Sequence, residues 1–181
     1  MKKTIAAILM VLMLLPVLTG CMFVAVKEPA KKEKEQYAVV TGSPKGELDF
    51  ETVDINGDPI SMSMLSEKKL VMVNFWEPWC GPCVGELPAL QKLYEKYSDR
   101  GFVILGVYGS SEESEARATA ESIGITYPVF FVTEEFQKYQ TRYVPTTVFF
   151  NGNGDLLTDE PYVGSKSESE WEDLILSFLG D

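Results

Sequence analysis

Two cysteines three positions apart, Cys80 and Cys83, stand in the run Trp79-Cys80-Gly81-Pro82-Cys83, directly after the apolar stretch Leu70 to Trp76. A strand that ends in such a pair and turns into a helix puts the first thiol at the helix start. There the dipole and the unpaired backbone N–H groups favour the thiolate, which is the nucleophile. The second thiol follows one turn later, close enough to close a disulfide or to attack one formed at the first. The spacing therefore predicts an attacking Cys80 and a resolving Cys83. Gly81 and Pro82 add no bulk over the sulfurs, and Pro82 lacks an N–H that a first-turn residue could not use.

The same pair could be half of a zinc site, so the missing ligands matter. The 181 residues include no histidine and only one further cysteine, Cys21, too few sulfur and nitrogen ligands for structural zinc. No metal and no cofactor is expected. The lack of histidine also excludes Ser-His and Cys-His hydrolases and haem attachment through C-x-x-C-H.

The elements that must position this pair are legible from periodicity and turn residues. Leu48 to Val53 alternates, Asn56-Gly57 is a turn, and Pro59 to Met62 follows, which predicts an opening β-hairpin. Leu70 to Trp76 is apolar on both faces, as a central strand is. Pro82 to Ser98 reads as a helix with Leu87, Leu90, Leu93, Tyr94 and Tyr97 on one stripe, kinked where Pro88 removes the bond to the Val84 carbonyl. Phe102 to Tyr108 is the next strand, then a helix capped by Ser110-x-x-Glu113 and stopped by Gly124. Tyr127 to Val132, Thr133 to Arg142 and Thr146 to Phe150 read as strand, short helix and strand, the last ended by Asn151-Gly152-Asn153-Gly154. A final helix runs from Ser167-x-x-Glu170 to Gly180. Alternating strands and helices, with a parallel crossover, give a three-layer α/β/α sandwich around a central mixed sheet.

Ahead of that domain lie two other kinds of sequence. Lys2 and Lys3, an apolar run to Leu18 and small residues before Cys21 make a secretory signal over 1–20. Leu18-Thr19-Gly20-Cys21 resembles a bacterial lipobox, which implies cleavage before Cys21 and acylation of that cysteine. Residues 21–45 are charged, lack apolar periodicity and close on Gly42-Ser43-Pro44, so they read as a linker with a reach of about 27 Å. The expected location is extracytoplasmic, on the cell membrane as a lipoprotein, in a compartment where disulfides persist. The formal charge is -11 for the whole chain and about -15 for residues 46–181. Nucleic acid is therefore not an expected partner.

Asn74-Phe75-Trp76-Glu77-Pro78-Trp79-Cys80-Gly81-Pro82-Cys83, Glu86-Leu87-Pro88, Tyr143-Val144-Pro145-Thr146-Thr147 and Asn151-Gly152-Asn153-Gly154, in this order, resemble the thioredoxin superfamily and within it the membrane-tethered TlpA/ResA-type thiol-disulfide oxidoreductases. The resemblance spans nearly all of residues 46–181 and implies a thioredoxin-like fold. It implies a cis Pro145 facing the disulfide, with the Val144 backbone pairing with an extended substrate. Trp79, Gly81, Pro82, Val144 and Pro145 then form the substrate-binding surface, with Trp76 and Trp79 packed under and beside the disulfide. Glu86, one helical turn beyond Cys83, is either the proton partner of the resolving thiol, as in the ResA-like pattern, or a solvated first-turn glutamate. Thioredoxin keeps a buried aspartate where this chain has Asn74, and cytochrome-maturation members often carry glutamate where it has Gly81.

The resemblance implies a monomeric reductase of protein disulfides, with an apocytochrome c or a repair enzyme such as methionine sulfoxide reductase as substrate. Its electrons would come from a membrane thiol carrier of the CcdA or DsbD kind. The alternatives are an oxidase that introduces disulfides, or a non-catalytic thioredoxin-fold lipoprotein that binds a partner or handles copper. A peroxiredoxin would need a Thr-x-x-Cys setting, and a Sco-type copper chaperone a histidine and a wider cysteine spacing; the sequence has none of these.

Overall fold

Every residue of strand β3 (Leu70–Phe75) is buried, and the domain is assembled around it. The computed structural model describes residues 48–180. The signal peptide expected over 1–20, the acylated Cys21 and the linker over 21–45 lie outside the described residues. Among the described residues no helix is long and apolar enough to cross a membrane.

β3 pairs in parallel with β4 (Phe102–Tyr108), and β4 in parallel with β5 (Val129–Phe131). On its other side β3 pairs antiparallel with β6 (Thr146–Phe150), which carries the two-residue edge strand β7 (Tyr162–Val163). The order β5-β4-β3-β6-β7 makes the sheet mixed. The opening hairpin is a separate sheet of β1 (Glu51–Val53) and β2 (Pro59–Ser61), turning through Gly57 at φ 87°.

Side chains alternate across the sheet and sort into two cores. Leu70, Met72 and Trp76 of the β3 segment pack with helix α1 (Gly81–Tyr97), with Ala116 and Ala120 of α2 (Glu113–Ile123) and with Trp171 and Ile175 of α4 (Glu168–Leu179). Val71, Val73 and Phe75 pack on the opposite face with the hairpin residues Phe50 and Ile60, and with Phe136 of the short helix α3 (Glu134–Gln137). The three layers are thus unequal: three helices cover one face, while α3 and the hairpin share the other.

One local expectation needs correction. The capping box expected at Ser110-x-x-Glu113 does not form: α2 begins at Glu113 with Glu112 as N-cap and no side-chain cap, so Ser110 stands ahead of the cap position. Helix α1 runs through Pro88 as one element of 17 residues, with the stripe of Leu87, Leu90 and Leu93 buried. The caps at Gly124 and Gly180 adopt the left-handed conformation, and Ser167 and Glu170 form a capping box at α4.

Candidate active site

Cys80 is the N-cap of α1, held in an extended conformation after the β3 strand, and its sulfur accepts from the Cys83 N–H at 3.3 Å. The two cysteines form a disulfide of 2.10 Å across Cα atoms 5.2 Å apart. Cys83 is fully enclosed, while Cys80 keeps 5% of its surface exposed. A partner arriving from solvent therefore meets Cys80. A Cβ on Gly81 would meet nothing beyond its chain neighbours within 4 Å, so a side chain has room at the first position of α1.

The Val144–Pro145 peptide bond is cis, and the Val144 carbonyl oxygen lies 3.6 Å from Cys80 Sγ. The Thr146 hydroxyl donates to the Tyr143 carbonyl at 2.7 Å, and Tyr143 N–H donates to the Thr141 hydroxyl at 3.1 Å, so residues 141–146 are a braced turn. Among the described residues no backbone hydrogen bond uses the Val144 N–H. Trp76 is fully buried under the site. Trp79 is 68% exposed, and its indole N–H donates to the Ser110 hydroxyl at 3.2 Å. Tyr143, which precedes Val144, is 62% exposed.

Glu86 is buried, which removes the solvated alternative. Asn74 Nδ2 donates to its Oε1 at 3.1 Å, and the Lys166 backbone N–H and Trp171 Nε1 donate to its Oε2 at 3.1 and 3.0 Å. Burial raises its carboxyl above the ordinary range, and these donors, with the Lys166 charge, pull partly back. Asn74 also donates to the Thr147 hydroxyl at 3.1 Å, tying the carboxylate to β6. Close to it in the core, Asn74 Oδ1, Trp76 Nε1 and the Tyr127 hydroxyl are buried with no protein hydrogen-bond partner among the described residues. Burial, followed by the Glu86 charge, drives the Tyr127 hydroxyl far above its ordinary range. A buried carboxyl whose proton affinity is raised above the ordinary range suits proton exchange.

Sequence reasoning passed over Glu77, whose carboxylate is 3% exposed. Its Oε1 accepts from the Gly109 and Ser110 backbone N–H groups at 2.8 and 2.7 Å, and its Oε2 from the Ser111 hydroxyl at 2.7 Å. Nothing in the sequence next to Glu77 signals these partners, which lie on the turn after β4.

Residues 46–157 match the model of the AhpC/TSA family. The chain is 32% identical over 127 residues to the thioredoxin-like protein YneN of Bacillus subtilis, covering 68% of this chain and 73% of that one. It is 29% identical over 145 residues to the thiol-disulfide oxidoreductase ResA of Oceanobacillus iheyensis, covering 79% and 75%. Among solved structures, a thiol:disulfide interchange protein of Chlorobium tepidum superposes with a TM-score of 0.68 at 25% identity, covering 79% of this chain and all of that one. An enclosed cysteine beside a reachable one, at the start of α1 and against the Val144 carbonyl, is the arrangement that thiol-disulfide exchange requires. The chain belongs to the AhpC/TSA family on the thioredoxin fold, in its TlpA/ResA-like branch, and is a thiol-disulfide oxidoreductase.

Proposed function

We propose that the protein is a membrane-tethered, extracytoplasmic reductase of protein disulfides. The observation that carries this reading is the difference in access between Cys80, which keeps 5% of its surface exposed beside Val144, and Cys83, which keeps none. In the reduced enzyme the Cys80 thiolate attacks a substrate disulfide. A Cys80–substrate S–S bond forms, the substrate's own S–S bond breaks, and the departing sulfur takes up a proton. Cys83 then loses its proton to Glu86 and attacks Cys80 sulfur, forming the Cys80–Cys83 bond, breaking the Cys80–substrate bond and releasing the second substrate sulfur as a thiolate, which takes up a proton from solvent as Glu86 gives one back. Two electrons pass from enzyme to substrate, and a membrane dithiol carrier of the CcdA or DsbD kind restores the pair.

Val144 offers its backbone to an extended substrate segment, with Pro145, Pro82 and Gly81 leaving the sulfur uncovered. The relatives named ResA support an oxidoreductase of this branch. The Lys2-Lys3 segment, the apolar run and Cys21 support export and acylation. An apocytochrome c or a methionine sulfoxide reductase is the proposed class of customer, and the enzyme acts as a monomer.

The test is a Cys83→Ser variant in the native envelope, which should accumulate mixed disulfides through Cys80, read beside the redox state of the wild-type pair. A pair mostly reduced, and oxidised once the membrane carrier is deleted, supports the reductase. A pair mostly oxidised whatever the carrier makes the protein an oxidase that introduces disulfides.

A further inference from the structure

We propose that Glu77 is a positioning residue that fixes the exposed Trp79 ring, next to Cys80, for substrate binding through the turn 109–111. The inference rests on the reading of the protein as an oxidoreductase of protein disulfides and goes on to say what holds the substrate.

Three donors from consecutive residues converge on one buried carboxylate: Gly109 N–H at 2.8 Å, Ser110 N–H at 2.7 Å and Ser111 Oγ–H at 2.7 Å. Glu77 itself belongs to the active-site turn, since its carbonyl accepts from the Cys80 N–H at 3.0 Å. The side chain therefore clamps the end of β4 to the turn that carries the cysteines. Burying a carboxylate is costly unless its lone pairs are satisfied, and here two backbone N–H groups and one hydroxyl of a single turn satisfy them. The clamp leads directly to the substrate face. Ser110, whose N–H binds Glu77, uses its hydroxyl to accept from Trp79 Nε1 at 3.2 Å.

An indole that is 68% exposed has little packing to fix it, and rotational freedom of such a ring must be lost when a substrate binds. Anchoring its N–H beforehand lowers that cost. Trp79, next to Cys80 in the chain, and Tyr143, 62% exposed and next to Val144, offer exposed aromatic surface suited to an extended segment carrying apolar side chains beside its cysteine. The clamp acts on binding and not on the sulfur chemistry, so its loss should appear in KM for a protein substrate.

The test compares Glu77→Ala and Glu77→Gln in the 46–181 region of the intact chain. Glutamine keeps an acceptor for the two backbone N–H groups and a donor for the Ser111 hydroxyl, so it should rescue. With an unfolded disulfide-bonded protein as substrate, Glu77→Ala should raise KM about tenfold with kcat within about twofold, and Glu77→Gln should restore KM to within about threefold of wild type. The same loss should vanish in a Trp79→Ala background, where there is no ring left to orient. Independently of turnover, the Trp79 indole N–H resonance of the oxidised protein should move in Glu77→Ala and in Ser110→Ala and stay in place in Glu77→Gln. An unmoved resonance in a folded Glu77→Ala variant overturns the clamp, as does a KM loss of equal size with Trp79 absent. A Gln variant as impaired as Ala also overturns it, because charge and not the hydrogen-bonded turn would then be at work. If the wild type reduces no protein disulfide, the proposed function fails while the resonance still decides on the clamp.

Discussion

Trp171 and Glu86, 85 residues apart in sequence, meet where the indole N–H donates to the buried Oε2 at 3.0 Å. The last helix thus reaches under the first and holds the carboxylate one turn beyond Cys83. Because the Lys166 N–H shares the same oxygen at 3.1 Å, the entry to α4 and its first turns are both committed to one residue of the site. Fold stability and proton handling are coupled at this point.

That coupling has a measurable sign. Burial raises the Glu86 carboxyl above its ordinary range, so the folded state keeps a proton that the unfolded chain has already released. The stabilisation linked to this proton is complete below the ordinary carboxylate value of about 4.3 and is lost as pH rises through the folded value. A Glu86→Gln variant does not titrate there. Wild type should therefore lose stability relative to Glu86→Gln as pH rises from about 4, at up to about 1.4 kcal/mol per pH unit until the folded value is passed. Urea denaturation of the oxidised proteins across that range checks it, and a difference that is flat with pH contradicts a raised carboxyl.

Replacing the donor tests the same contact from the other side. Trp171→Phe keeps most of the ring that packs on Phe149 and Tyr162 but removes the N–H, leaving Oε2 with the Lys166 N–H alone. At pH 7 the loss should be about 1–3 kcal/mol, the range for a charged group deprived of a hydrogen bond. It should shrink at acid pH, where a neutral carboxyl needs the donor less. An equal loss at both pH values would mean that ring volume, and not the hydrogen bond, is what Trp171 contributes.

The unequal visibility of these features in the sequence has a physical pattern. Leu70 to Phe75 and Phe102 to Tyr108 were readable because a strand buried on both faces must be apolar throughout, and Cys80 and Cys83 because their chemistry depends on spacing along one chain segment. The burial of Glu86 was not readable, since its donors come from 12, 80 and 85 residues away. Ser110 was misassigned because a serine three residues before a glutamate looks alike whether it caps a helix or accepts from Trp79. Strand β7, two residues long, exists only by pairing with β6 and carries no periodicity of its own.

The turn 151–154 shows the same limit and gives a stability test. Its glycines read as a strand end, yet a Cβ on Gly152 would come within 2.2 Å of the Lys68 carbonyl oxygen and 2.8 Å of that of Leu65. The turn packs backbone to backbone against the segment before β3. Gly152→Ala should destabilise the domain by about 1–3 kcal/mol or more, as overpacking does, with the reactivity of the pair unchanged in molecules that remain folded. Denaturant midpoints decide it, and a midpoint equal to wild type means the two segments separate without cost.

Gly81 is the opposite case, and it bears on the chemistry. An added Cβ there meets nothing within 4 Å, and the position is the first of helix α1, where a negative side chain is favoured by the dipole by about 0.3–1 kcal/mol. Gly81→Glu should therefore fold with a stability within about 1 kcal/mol of wild type. The same charge, however, lies one residue from Cys80 and disfavours a second negative charge on its sulfur. Alkylation of the reduced protein at neutral pH should slow severalfold, and the slowing should weaken at high ionic strength, where an exposed charge is screened. Reaction with iodoacetamide at limiting reagent, mapped to Cys80 and followed at low and high salt, reads this directly. An unchanged rate would show that the room at the first position of α1 lets the carboxylate swing into solvent, and glycine at position 81 would then be serving substrate access alone.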